Sequence, residues 1–287
     1  MLIHTPEHPR LAMQACGMSE AGAVRARNED CFVVDAGLGL AAVADGMGGH
    51  MAGEVASSGA LAALVRSLAE GAAASCAGSA AGDPDATELD LRWDSMVRLR
   101  RAVDQANALL YEENRAHGHA DGDGMGSTLT GLQFLPAQGA IVSFHVGDSR
   151  LYRCRDGILV QLTRDQTAYQ LALESSAPGE LPPRNLLLQA IGPAPAVAPD
   201  LDYHEVCAGD LLLLCSDGLH GWAPHAEIAA LLRREEDLHA ACAGLLALAG
   251  RHASRDNVTV LLARFGSTEE LAEKNADRSA SSRPGLA

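Results

Sequence analysis

The chain is almost without lysine: Lys274 alone among its 22 basic residues is one, and against 37 acidic residues the formal charge is −15. A phosphate backbone is bound through clustered positive charge, so nucleic acid is not an expected partner. No apolar run approaches the roughly 18–20 residues that span a bilayer, and the opening MLIHTPEHPR lacks a signal-like apolar segment. A cytoplasmic protein that stays off membranes is therefore expected. The seven cysteines, at 16, 31, 76, 154, 207, 215 and 242, form no C-x-x-C pair. That excludes a zinc ribbon or redox couple and predicts free, buried thiols. No internal repeat is present.

What is present is apolar material: 47% of 287 residues, enough to fill the core of one large domain. LAMQACG, DCFVVDAG and LGLAAVADG, within residues 11–46, predict three strands joined by tight loops. An Ala/Leu/Val-rich stretch predicts a helix from Met51 to Ala69, followed by a soft linker over 70–86. Leu91, Met96, Leu99, Val103, Ala106 and Leu110 recur at helical spacing and predict a second helix over 91–118. STLTGLQFL, GAIVSFHVGD, RLYRC and ILVQL then read as four short strands. Residues 166–199 hold a short helical piece and proline-rich segments, a surface excursion. DLLLLCS is a buried strand, residues 225–250 two helices, and NVTVLLARF a last strand. Residues 1–10 read as a short extension and 266–287 as a disordered polar tail. Strands, helices, strands, helices and a strand make an α+β order.

Four of these strands put an aspartate at one end: Asp45 after LAAVA, Asp148 after IVSFHVG, Asp217 after LLLLCS, and Asp256 just before NVTVLL. Any one of them alone reads first as turn chemistry, since Asp-Gly favours turns. Side by side, the four would repel and raise one another's pKa, a conflict that hard divalent cations remove. With no cysteine cluster, oxygen ligands and Mg²⁺ or Mn²⁺ are the expectation. A glycine beside such an aspartate, as at Gly46, lets its own carbonyl approach the ion. Upstream, GAVRARNED adds Glu29, Asp30 and the planar fork of Arg25, suited to phosphate oxygens; alone, this segment reads first as a solvated hairpin.

Eight stretches occur in one order: G-x-V-R-x-x-N-E-D (22–30), V-A-D-G-M-G-G-H-x-A-G-E (43–54), G-S-T (126–128), V-G-D-S-R (146–150), L-T-R-D (162–165), Q-A-I-G (189–192), C-S-D-G-L (215–219) and S-R-D-N-V-T (254–259). Together they resemble the metal-dependent protein phosphatases, the PPM or type 2C Ser/Thr phosphatases, in their compact bacterial form, over residues 11–265. The resemblance implies a four-layer α-β-β-α sandwich of two antiparallel sheets flanked by helices, with 166–199 as a flap. It implies that Asp45 bridges two Mn²⁺ or Mg²⁺ ions, that the Gly46 carbonyl binds one, and that Asp217 and Asp256 hold the other. Asp148 with Asp217 would form a weaker third site, Glu29 would act through metal-bound water, Asp30 would support from behind, and Arg25 would grip the substrate phosphate.

The implied reaction is hydrolysis of phosphoserine or phosphothreonine by a water bridging two metals, without a phosphoenzyme. None of the cysteines has an arginine six positions on, as a cysteine phosphatase needs. Phosphorylated proteins and a bacterial Ser/Thr kinase that phosphorylates them are the implied partners, and a monomer is expected. Two positions depart from the family: Met47 stands where animal-type members have a histidine regarded as a general acid, with His50 a weak substitute, and Gln166 stands where histidine is frequent, at the cleft rim that the resemblance implies. An inactive binding module on the same fold, or a phosphomonoesterase for small metabolites, are the alternatives. Silent relatives lose a ligand aspartate, and here Asp45, Asp217 and Asp256 are all present.

Overall fold

A computed structural model describes residues 11–48, 52–78, 88–175 and 180–271. In chain order its strands are β1 (Leu11–Glu20), β2 (Asp30–Asp35), β3 (Leu40–Met47), β4 (Gly126–Ser127), β5 (Leu129–Leu135), β6 (Ala140–Val146), β7 (Arg150–Arg155), β8 (Ile158–Gln161), β9 (Asp200–Glu205), β10 (Leu211–Cys215) and β11 (Val258–Ser267). The helices are α1 (Ala52–Gly78), α2 (Glu88–Ala116), α3 (Ala168–Ser175), α4 (Asp217–His220), α5 (His225–Arg234) and α6 (Leu238–Arg251). One sheet runs β1-β11-β10-β7-β8 and the other β2-β3-β5-β6-β9, with β4 pairing β3. All of the strand pairs are antiparallel.

The four layers follow from which face each side chain takes. Successive strand residues point to opposite faces. In β3, Leu40, Ala42 and Ala44 join Leu64, Leu99, Val103 and Leu110 of α1 and α2. Ala41 and Val43 instead meet Leu212, Leu214, Leu261 and Phe265 of the other sheet. In β10, Leu211, Leu213 and Cys215 pack against Ile228, Leu232, Leu245 and Leu248 of α5 and α6. LLLLC is apolar at every position because β10 is central and covered on both faces. The α-β-β-α sandwich is thus the one expected.

Several boundaries differ from the sequence reading. Helix α1 continues to Gly78, through the first part of the segment read as a linker, because its Ala-rich composition is strongly helix-forming. Strand β9, DLDYHE, was not foreseen: it lies at the sheet edge with only Leu201 and Tyr203 packed inward. β11 runs to Ser267 and a helical turn follows over 268–271 with Leu271 buried, so the polar tail does not begin at 266; residues 272–287 and the extension 1–10 lie outside the described residues. Among the described side chains the thiols are free, but not all are buried: Cys154, Cys215 and Cys242 are, Cys16 and Cys31 are half-buried, and Cys207 is exposed; the Cys76 side chain lies outside the described ones.

Candidate metal centre

The sheet register brings the acidic positions together. Asp30 of β2 and Asp45 of β3 are cross-strand partners. The Gly46 N–H donates to the Glu29 carbonyl at 3.1 Å. Asp45 is fixed through its backbone: its N–H donates to Thr128 Oγ1 at 2.9 Å, and its carbonyl accepts from Thr128 N–H at 2.8 Å and Ser127 Oγ at 3.1 Å. A Cβ on Gly46 would lie 2.0 Å from the Gly53 carbonyl oxygen, and one on Gly53 would lie 2.9 Å from both Glu29 Oε2 and the Gly46 carbonyl oxygen. Only glycine at both positions lets these two oxygens share the space at the start of α1.

The other sheet contributes Asp217 and Asp256. Ser216, between β10 and α4, donates through Oγ to Asp30 Oδ2 at 2.7 Å and accepts from Thr259 N–H at 3.0 Å. That one hydroxyl joins the two sheets directly behind Asp217. The Asn257 amide donates to the carbonyls of Ala21 and Arg27, and its Oδ1 accepts from Glu29 N–H at 2.8 Å, which pins the loop carrying Arg25 and Glu29 to the start of β11. Arg25 Nη2 donates to Asp256 Oδ2 at 2.7 Å. Asp148, after β6, has its carbonyl bonded to His220 Nε2 of α4 at 3.0 Å.

These carboxylates feel one another. Burial pushes Asp45 well above the usual carboxylate range, and the charges of Asp30, Asp217, Asp148 and Asp256 push it further. Burial, then Asp148, Asp256 and Asp30, carries Asp217 up to about 7, with Arg25 opposing. Burial and Asp165 raise Asp148 to about 6, and burial raises Asp30 to about 6 against the Ser216 hydrogen bond. Asp30 Oδ1 and Asp217 Oδ1 are buried with no hydrogen-bond partner, a costly state for acceptor oxygens. Crowded carboxylates with an unpartnered buried oxygen form a donor set suited to hard divalent cations. Among the described residues no three His, Cys, Asp or Glu side chains close into a ready-made cage, which an oxygen site that keeps several waters does not require.

The Protein phosphatase 2C family profile matches residues 23–263. The chain belongs to the protein phosphatase 2C family. It is 37% identical over 258 residues to the serine/threonine protein phosphatase PstP of Mycobacterium tuberculosis, covering 88% of this chain and 45% of PstP, so it spans about half the length of that relative. It is 32% identical over 280 residues to the serine/threonine phosphatase stp of Listeria monocytogenes, covering 93% of this chain and all of that one. The crystal structure of the PstP catalytic domain in complex with two manganese ions matches with a TM-score of 0.72 at 34% identity, covering 89% of this chain and 99% of that one.

Within this family member the two departures resolve differently. Met47, at the end of β3, is partly exposed and offers no proton, and His50 lies outside the described residues. Gln166 is buried, and it is hydrogen-bonded through both its backbone and its amide. Arg25, read as a phosphate grip, is half-exposed but engaged by Asp256. Sequence reasoning passed over Ser216, Asn257, Thr128 and His220. For Ser216 and Asn257 the available signal was a polar residue next to an aspartate at a buried strand end, since such a residue needs a partner; Thr128 and His220 carry no such local signal.

Proposed function

We propose that the chain is a metal-dependent protein serine/threonine phosphatase that hydrolyses phosphoserine and phosphothreonine by direct attack of water. The observation that carries this is the convergence of Asp45, Asp217 and Asp256, with Asp217 Oδ1 buried and unpartnered, beside the guanidinium of Arg25. Asp45, the Gly46 carbonyl, Asp217 and Asp256 would hold two Mn²⁺ or Mg²⁺ ions, as the two manganese ions of the PstP catalytic domain suggest. Asp148 with Asp217 would complete a third, and Glu29 would engage through water. Bound there, such ions acidify coordinated water and offset the charge of the transferring phosphoryl group.

The chain's own groups do the positioning. Arg25 presents a fork of donors to two phosphate oxygens, which compete with Asp256 for it. Asp30, held by Ser216, keeps a second layer of negative charge behind Asp45 and Asp217. Asn257 holds the Glu29 and Arg25 loop in register with Asp256. With no histidine at position 47, the leaving oxygen would take its proton from water.

A protein rather than a metabolite substrate is supported by the exposed leucines of the flap's described residues, Leu171, Leu173, Leu186 and Leu188, which offer apolar side chains to a polypeptide. A Ser/Thr kinase acting on the same substrates is the implied counterpart. A monomeric, cytoplasmic setting agrees with the acidic charge; among the described residues no helix is long and apolar enough to cross a membrane. Comparing kcat/KM for a phosphothreonine peptide with that for small sugar phosphates in Mn²⁺ tests the substrate class. Preference for the sugar phosphates would replace this reading with the metabolite esterase.

A further inference from the structure

Asp148 is held more firmly than its loop position requires. Gly147, just before it, is gripped on both sides by Gln166: the Gln166 N–H donates to the Gly147 carbonyl at 2.8 Å, and Gln166 Oε1 accepts from Gly147 N–H at 2.9 Å. Gly147 has φ +106, and a Cβ there would lie 2.7 Å from Thr128 Cγ2, so its peptide is pressed against the residue that anchors Asp45. On the other side, the Asp148 carbonyl accepts from His220 Nε2. A carbonyl only accepts, so this nitrogen carries the proton. Farther along, Arg150 and Asp165 form a two-pronged pair, Nε to Oδ1 at 2.8 Å and Nη2 to Oδ2 at 2.6 Å, which brackets the same two loops.

Gln166 is also the first residue of the flap. Its carbonyl accepts from Leu188 N–H at 2.8 Å and its Nε2 donates to Asp200 Oδ2 at 3.0 Å, while Thr167 and Leu187 pair as an isolated bridge. One buried residue thus touches three places: its side-chain amide meets the loop of Asp148 and β9, and its backbone carbonyl meets the returning arm of the flap. An exposed flap could be hinged freely; this one is stapled at its base to the backbone of Gly147, the residue before Asp148.

We propose that Gln166 and His220 are positioning residues for Asp148, and that Gln166 makes the flap and the third cation site one mechanical unit. The inference rests on the phosphatase reading and extends it to regulation: whatever moves the flap base, Gln166 with Leu188, shifts Asp148, and a cation on Asp148 stiffens that base.

The test is calorimetric titration of Mn²⁺ into the full chain and its variants, with thermal unfolding recorded alongside. The wild-type chain is expected to show a weak binding class besides the tight ones, and Asp148→Asn to lose it. Gln166→Leu and His220→Leu should weaken that class about tenfold or more, as loss of a ligand's hydrogen-bond partner does, with the tight class within about twofold. His220→Gln, whose amide still donates to the Asp148 carbonyl, should recover most of the loss. In the wild-type chain, whatever the variants' stability, the amides of Gly147, Gln166 and Leu188 should exchange hydrogen with one shared opening free energy that rises with Mn²⁺. A weak class absent from the wild-type chain or unmoved in the variants, or amides that open independently, overturns the clamp and leaves the phosphatase reading standing. No Mn²⁺ bound by the wild-type chain overturns both.

Discussion

Arg25 Nη2 stands 2.7 Å from Asp256 Oδ2, so the cation suited to a substrate phosphate is tied to a carboxylate suited to a metal. Both groups are partly open to water, with side-chain exposures of 52% and 32%, and the pair is therefore a weak one that an incoming dianion can replace. Arg25→Ala is expected to raise KM for a phosphothreonine peptide about tenfold or more while lowering kcat less. Steady-state kinetics checks it, and an unchanged KM would remove Arg25 from phosphate binding.

Burial and neighbouring carboxylates raise Asp217 to about 7, so without metal its charged form destabilises the fold. A carboxyl whose folded pKa lies above its unfolded value contributes stability that is present at low pH and lost as the pH rises through the folded pKa. In EDTA at pH 8, Asp217→Asn should therefore unfold roughly 2–5 °C above the wild-type chain, with the gap closing as the pH falls below about 7. A variant less stable than wild type at pH 8 in EDTA would show that the carboxylate is not under strain.

Metal should reverse that order. A ligand at a hundred times its Kd stabilises the folded state by about 2.7 kcal/mol, which for a chain of this size is roughly 5–10 °C. Saturating Mn²⁺ is expected to raise the melting temperature of the wild-type chain by about that much and that of Asp45→Asn far less. Because Asp217 must lose its proton to bind, apparent Mn²⁺ affinity should fall as the pH drops below about 7. A melting temperature that ignores Mn²⁺ would contradict the site.

Ser216 is 1% exposed and serves Asp30 and the Thr259 N–H at once. Ser216→Ala leaves both without that partner, at a cost of about 1–3 kcal/mol. Urea denaturation should show a lower midpoint with an unchanged slope. A loss below about 0.5 kcal/mol would mean water replaces the hydroxyl.

Much of this arrangement is legible in the sequence because it is local. LLLLC is apolar at every position and ends at Asp217, so a buried central strand ending in a carboxylate is readable from one short stretch. The same holds for LAAVADG and for the alternation that divides β3 between two cores. What stayed hidden is non-local. The Ser216–Asp30 bond joins residues 186 positions apart, and no periodicity announces such a pairing. Gln166 looks like an ordinary polar residue at a loop, and only the closeness of Gly147, Leu188 and Asp200 makes it a clamp. β9 was missed because DLDYHE places two apolar residues among charges at a sheet edge, and α1 was cut short because alanine reads as featureless while favouring helix.

The strand-end carboxylates are most directly tested by phosphate release from a phosphothreonine peptide in Mn²⁺, in EDTA and by Asp217→Asn in Mn²⁺. Release that requires Mn²⁺ and falls by orders of magnitude in the folded variant is the expected result. Release that persists in EDTA, or a folded Asp217→Asn chain turning over at the wild-type rate, would contradict it.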